Sequence, residues 1–225
     1  CNPHNPVGHV WTEEEMARLF SICEQHNVLI ISDEIHQDLI TGSTPFTSAL
    51  SVSNGIYVDH VISLSSVSKS FNMASLHQAE VMIPNEALRH QYNAYKAQVY
   101  HTDADVIAET AITAAYTHPE AEAWLDDVRA VIRENYEYLC NELLSALPKL
   151  RISPMDGTYL AWIDFGAYVR AEDMHDLFEN QCRIAPSFGE WFGGESYATF
   201  VRLNLATSLA NIKTATHSII NHIRP

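Results

Sequence analysis

Two short apolar runs, each breaking off in a polar cluster, constrain this chain more than any other feature. Val28-Leu-Ile-Ile31 is too short and too β-branched for a helix, and it stops at Ser32-Asp33-Glu34-Ile35-His36. His60-Val-Ile-Ser-Leu64 is a second run, ending in Ser65-Ser66-Val67-Ser68-Lys69-Ser70. Strands that are apolar throughout, rather than alternating, suit a parallel sheet covered on both faces. A helix precedes the first of them: Thr12-Glu-Glu-Glu15 is a capping box, and Met16, Leu19, Phe20 and Cys23 repeat at three-to-four spacing up to about Asn27. Ala79 to Ile83 reads as a third strand. Strand, helix and strand in this order predict an α/β fold with a mostly parallel sheet.

Beyond the third strand the pattern turns helical from about Glu86 to Tyr116. Pro119 then opens a long helix with Trp124, Leu125, Val128, Val131, Ile132, Leu139 and Leu143 on its apolar side. After Pro148 the elements shorten: Arg151-Ile-Ser, Thr158 to Ile163, a helix near 171–180, Phe200 to Leu205, and a last helix over 209–223. The sequence therefore predicts two domains, 1–118 with the apolar strands and 119–225 as a smaller α+β unit. With 225 residues and 47% hydrophobic side chains there is ample material for these cores. The formal charge of −15 repels phosphate backbones and argues against nucleic acid. No apolar run reaches the ~20 residues of a membrane span, and four scattered cysteines without a C-x-x-C pair read as reduced thiols of a cytoplasmic protein. The opening Cys1-Asn2-Pro3-His4-Asn5-Pro6 reads as the tail of a strand and its turn, as in a fragment.

In open α/β sheets, ligands sit beyond the carboxyl ends of the strands. Three polar clusters lie at such ends: Asn5 in its Asn-Pro-Val-Gly turn, Asp33 with His36, and Ser66 with Ser68 and Lys69. Taken singly, a lysine is most often a solvated charge and an Asp at a strand end most often a cap. Their succession at consecutive strand ends is what marks them. A fourth candidate is Arg202. Alternation over 200–205 places Val201, Leu203 and Leu205 on one face and Arg202 with Asn204 on the other, where a guanidinium can grip a carboxylate with two parallel hydrogen bonds. Cys1, His4 and His9, or Asp33, Glu34 and His36, lack familiar zinc spacing, so no metal is expected.

The ordered segments Asn-Pro-His-Asn-Pro-Val-Gly, Ser-Asp-Glu-Ile-His, Ser-Val-Ser-Lys-Ser-Phe-Asn-Met-Ala and Phe-Val-Arg-Leu-Asn-Leu-Ala-Thr resemble the fold-type-I pyridoxal-phosphate enzymes of the class I/II aminotransferase superfamily. Within it the chain is most similar to the cystathionine β-lyase, or carbon–sulfur lyase, branch. The stretch Asp156 to Asp164 and Phe188-Gly189 fit that branch too. The resemblance implies a pyridoxal 5'-phosphate cofactor and an amino-acid substrate, with 1–118 as part of the large domain, 119–225 as the small one, and a homodimer. It implies that Lys69 bonds the cofactor aldehyde and moves the Cα proton, that Asp33 pairs with the pyridine nitrogen, and that Asn5 and His36 meet the phenolic oxygen. Ser66 and Ser68 would donate to the phosphate, and Arg202 would hold the substrate carboxylate.

Several positions depart from the family pattern. His77 stands where many aminotransferases place a phosphate-binding arginine, Ser75 and Ser187 where glycines are usual, and Ser208-Leu209 where Pro-Arg is common. Members of the family are longer at the amino end, so this chain alone is expected to bind cofactor weakly or not at all and to give no useful turnover. The leading expectation is β-elimination on a sulfur amino acid such as cystathionine, giving thiol, pyruvate and ammonia. Transamination begins with the identical deprotonation and is the alternative within the class; a non-catalytic, oligomerising or regulatory relative is the alternative outside it.

Overall fold

The computed structural model describes residues 1–99 and 105–223. The chain forms two compact units, Cys1–His4 with Val10–Asp126, and Asn5–His9 with Asp127–Pro225. Packing divides the chain inside the long helix, whereas the sequence marks only that helix's proline-led start at 118/119. The early segment joins the second unit because the Gly8 carbonyl accepts from the amides of Asp156 and Gly157, both at 3.0 Å.

In the first unit, α1 (Glu13–Gln25) starts as its pattern requires. Thr12 Oγ1 accepts from the Glu15 amide at 3.2 Å, and Glu15 Oε2 accepts from the Thr12 amide at 2.8 Å. Its inner residues Met16 and Phe20 pack with Ala49, Val52, Tyr57 and Val61. Burying a side chain such as Phe20 contributes about 2–3 kcal/mol. Asn27 in the left-handed region (φ 53°) turns the chain towards β1 (Ile30–Asp33). Parallel to it lies β2 (Val61–Ser65), with Ile30 opposite Val61 and Asp33 opposite Leu64.

A single helical turn, α2 (Val67–Ser70), follows β2, and β3 (Glu80–Met82) then returns antiparallel, with Glu80 opposite Ser65. A third parallel strand would need the chain to cross back over the sheet. The connection over 66–79 holds only α2 and a 3-10 turn (Ala74–Leu76), with no helix long enough to cover the sheet as a crossover does, and the chain folds back alongside β2. The described sheet, in order β1-β2-β3, is thus half parallel and half antiparallel. Among the described residues β1 pairs with β2 alone, and its apolar run is not buried as its hydropathy predicts: Ile31 is 63% exposed, and Val28 and Leu29 just before the strand are also exposed. Three helices complete the run: α3 (Glu86–Val99), α4 (Val106–Thr117) and α5 (Ala121–Ala146), the last passing from the first unit into the second.

The second unit holds an antiparallel sheet in the order β4-β5-β7-β6. Its strands are β4 (Arg151–Ile152), β5 (Leu160–Asp164), β6 (Ser187–Phe188) and β7 (Phe200–Asn204), with a short α6 (Glu190–Gly193) between the last two and α7 (Leu209–Ile223) at the end. Every residue of β5 is buried. Ile132, Leu139 and Leu143 of α5 are buried as well, and Asn135 between them donates to the carbonyls of Leu205 (2.9 Å) and Thr207 (2.8 Å). The helix anticipated near 171–180 is a 3-10 turn (Ala171–Asp173) followed by a π-helix (Asp176–Gln181). Asp176 accepts from Gln181 at 2.7 Å, a five-residue spacing that suits the wider turn. No helix among the described residues is long and apolar enough to cross a membrane.

Candidate functional site

The lysine sits on a turn that its own neighbours hold. Ser66 is extended (φ −168°) and caps α2, its Oγ accepting from the Ser68 amide at 3.1 Å and donating to the Gln78 carbonyl at 2.6 Å. The hydroxyl proton of Ser66 is therefore engaged on Gln78, while the Ser68 hydroxyl makes no hydrogen bond among the described residues. Lys69, half-buried in the last turn of α2, has neither an ion pair nor a hydrogen bond to its amine among the described residues. On the far side, Ser70 Oγ donates to Asp38 at 2.8 Å and the Tyr116 hydroxyl donates to the same oxygen at 3.2 Å. Burial, with the Asp38 charge beside it, pushes the Tyr116 phenol up to about 12. Phe71 packs edge-on against Tyr116 and stacked on Trp124, with ring centroids 6.0 and 5.7 Å apart. Asp38 and Tyr116 were invisible in the sequence, because Tyr116 lies on a helix remote along the chain.

Asp33 closes the neighbouring strand. Its Oδ1 accepts from the Ile35 amide at 3.1 Å, its carbonyl accepts from the Asn2 amide at 2.9 Å, and the Glu34 amide donates to the Leu64 carbonyl at 2.7 Å. Asp33 and the lysine turn thus leave the same end of two adjacent parallel strands. His36 is buried at 2% exposure, just beyond. Glu34 is fully buried, and its carboxylate takes three hydrogen bonds: Ser32 Oγ at 3.0 Å, Ser48 Oγ at 2.8 Å and the Ala49 amide at 2.7 Å. It anchors the segment that carries Asp33 and His36, a role the sequence hides among acidic neighbours.

Asn5 and Arg202 come together in the second unit, 197 positions apart in sequence. Val201 and Leu203 of β7 are buried, which turns Arg202 to the opposite face. There its Nη1 donates to Asn5 Oδ1 at 2.7 Å, its Nη2 donates to Ser187 Oγ at 3.0 Å, and the Phe192 ring lies 4.7 Å from Cζ. Burial draws the guanidinium below its ordinary pKa, against the pull of Tyr159, yet arginine stays charged. The Nδ2 of Asn5 makes no hydrogen bond among the described residues. Among the described residues no group of three His, Cys, Asp or Glu side chains is placed to hold a metal ion.

The family described as aminotransferase class I and II matches residues 1–219. The chain belongs to this family. It is 32% identical over 216 residues to the cystathionine β-lyase PatB of Bacillus subtilis, covering 95% of this chain and 54% of PatB. Protein MalY of Escherichia coli is 33% identical over 226 residues, covering 100% of this chain and 56% of MalY. Among solved structures, cystalysin from Treponema denticola, which contains pyridoxal 5'-phosphate, superimposes with a TM-score of 0.92 at 26% identity, over 99% of this chain and 56% of that one. The pyridoxal-phosphate-bound C–S lyase of Staphylococcus hominis gives 0.89 at 29%, over 99% and 57%. The chain spans about half the length of the curated relatives it matches. Its α/β fold is that of the pyridoxal-phosphate-dependent structures and includes part of their large domain.

Proposed function

We propose that this chain carries the lysine-bearing part of a pyridoxal-phosphate-dependent lyase that eliminates a thiol from a sulfur amino acid such as cystathionine, leaving pyruvate and ammonia. The observation that carries the reading is the capped turn holding Lys69 beside the strand end that holds Asp33, in a chain about one-third identical to a cystathionine β-lyase. The donor set fits the cofactor: an amine without a partner among the described residues, a carboxylate at the adjacent strand end, and N–H and O–H groups in reserve on Asn5 and Ser68.

Pyridoxal phosphate, when bound, supplies a ring that takes up the electron pair left on Cα. Everything else falls to the chain. Lys69 would hold the aldehyde until the substrate's amino group takes its place, and its freed amine would then accept the Cα proton. The sulfur would leave Cβ with the electron pair of the broken Cβ–S bond, the lysine ammonium would return the proton to it, and water would complete the release of pyruvate and ammonia. Asp33 would keep a proton on the pyridine nitrogen. Asn5 Nδ2 and His36 would face the phenolic oxygen, and Ser68 would donate to the phosphate with Ser66 shaping the turn. Arg202 fixes the substrate carboxylate and so decides which Cα bond is broken. In this reading 1–118 belongs to the cofactor-binding domain and 119–225 to the small one, and the working molecule is a homodimer. Supplying the full-length protein that carries this chain with pyridoxal phosphate and cystathionine tests it: pyruvate that disappears with Lys69→Ala is the expected result. Pyridoxamine phosphate with a keto acid and no pyruvate would replace elimination by transamination.

A further inference from the structure

Resting on the reading of Arg202 as the carboxylate receptor, we propose that Ser187 and Phe192 are positioning residues that hold its guanidinium ready before substrate arrives. Ser187 opens β6. Its Oγ accepts from Nη2 at 3.0 Å, while Asn5 Oδ1 accepts from Nη1 at 2.7 Å, so both terminal nitrogens are tethered, from opposite ends of the sequence. Phe192 covers the guanidinium plane at 4.7 Å and is itself held edge-on by Trp162 at 5.5 Å.

The tethers leave donors in reserve. A guanidinium has five N–H groups, and two are used, leaving enough for a bidentate carboxylate. Arg202 has no carboxylate partner among the described residues, although acidic side chains greatly outnumber basic ones. A half-buried, immobilised cation whose neighbours are all neutral is suited to receive an external anion, and holding it in advance removes the ordering cost from the binding step. The placement of Ser187 is a consequence of register: it pairs with Arg202 across β6 and β7, on the same face.

The test is side-chain NMR on the 225-residue chain with ¹⁵N-labelled arginine, read at the Arg202 Nε–H and Nη signals and titrated with acetate and with L-alanine. Wild type is expected to show slowed guanidinium rotation and saturable shifts with both probes. Ser187→Ala and Ser187→Gly are expected to speed the rotation and weaken binding about fivefold, Ser187→Thr to restore both, and Phe192→Leu to speed rotation. A merely structural serine would not show the hydroxyl-dependent rescue. If the Ser187→Ala and Ser187→Gly variants, folded by circular dichroism, match wild type in rotation and affinity while Arg202→Ala abolishes binding, the positioning role is refuted and the receptor role survives. If Arg202→Ala leaves carboxylate binding unchanged, the receptor reading itself is wrong.

Discussion

Glu34 gives the sharpest test of how the strand end bearing Asp33 is held. The side chain is fully buried, and its two oxygens take hydrogen bonds from Ser32, Ser48 and the Ala49 amide. In Glu34→Ala the two serine hydroxyls can rotate to other acceptors, but the Ala49 amide cannot. One buried, orphaned N–H costs about 1–3 kcal/mol, and loss of the two hydroxyl bonds adds about 0.5–1 kcal/mol each, so about 3 kcal/mol is expected. Glu34→Gln keeps an acceptor for the Ala49 amide and offers its NH₂ to Ser48, so the loss is about 1 kcal/mol. For a chain of this size 3 kcal/mol corresponds to a fall of about 6–12 °C in Tm. Urea unfolding followed by circular dichroism, with hydrogen exchange read at the Ala49 amide, separates the cases. Equal stability in Glu34→Ala and Glu34→Gln, with unchanged protection at Ala49, would refute the reasoning.

Three further outcomes are expected from the geometry. Burial raises the Asp164 carboxyl, but hydrogen bonds from the Gly166 amide, Thr199 and Arg151 outweigh it and hold the group below its ordinary value. Its stabilisation is complete above the unfolded-state pKa of about 4 and lost as pH falls through the folded value, so an acid titration of stability should be shallower in Asp164→Asn. Tyr116 works in the opposite direction: with its phenol raised to about 12, its contribution is complete below pH ~10 and disappears between about 10 and 12, a slope that Tyr116→Phe should lack in alkaline unfolding curves. At Gly189 a Cβ would overlap the Tyr197 carbonyl oxygen and lie 2.7 Å from Phe200 Cβ, so Gly189→Ala should cost about 2–3 kcal/mol and loosen the Gly189–Phe200 bond, measurable as faster exchange of the Gly189 amide.

The α/β class and every helix with a strong apolar stripe were legible because local signals and packing agree there. The Thr12–Glu15 box and the alternation around Arg202 mean in the folded chain what they mean in the sequence, and of the α5 stripe Leu125, Ile132, Leu139 and Leu143 are buried while Trp124 and Val131 are exposed. Legibility failed where the outcome depends on distant partners or on what surrounds a strand. Hydropathy describes the environment a strand suits, so Val28 to Ile31 read as buried although among the described residues β1 pairs with β2 alone. The antiparallel direction of β3 is a matter of pairing with β2, which an apolar run does not reveal. Among candidate residues, the Asn5–Arg202 meeting needed the fold, and Glu34, Asp38 and Asn135 looked like ordinary polar residues until their partners were in view.

The central claim is that Lys69 is the cofactor's anchor, and selective trapping tests it most directly. The 225-residue protein is mixed with pyridoxal phosphate, reduced with borohydride, digested and mapped by mass spectrometry over its four lysines, 69, 96, 149 and 213. The predicted result is label concentrated on Lys69, with an absorption band that Lys69→Ala loses even where binding is weak. Label spread evenly over the four lysines, unchanged by Lys69→Ala, would contradict it.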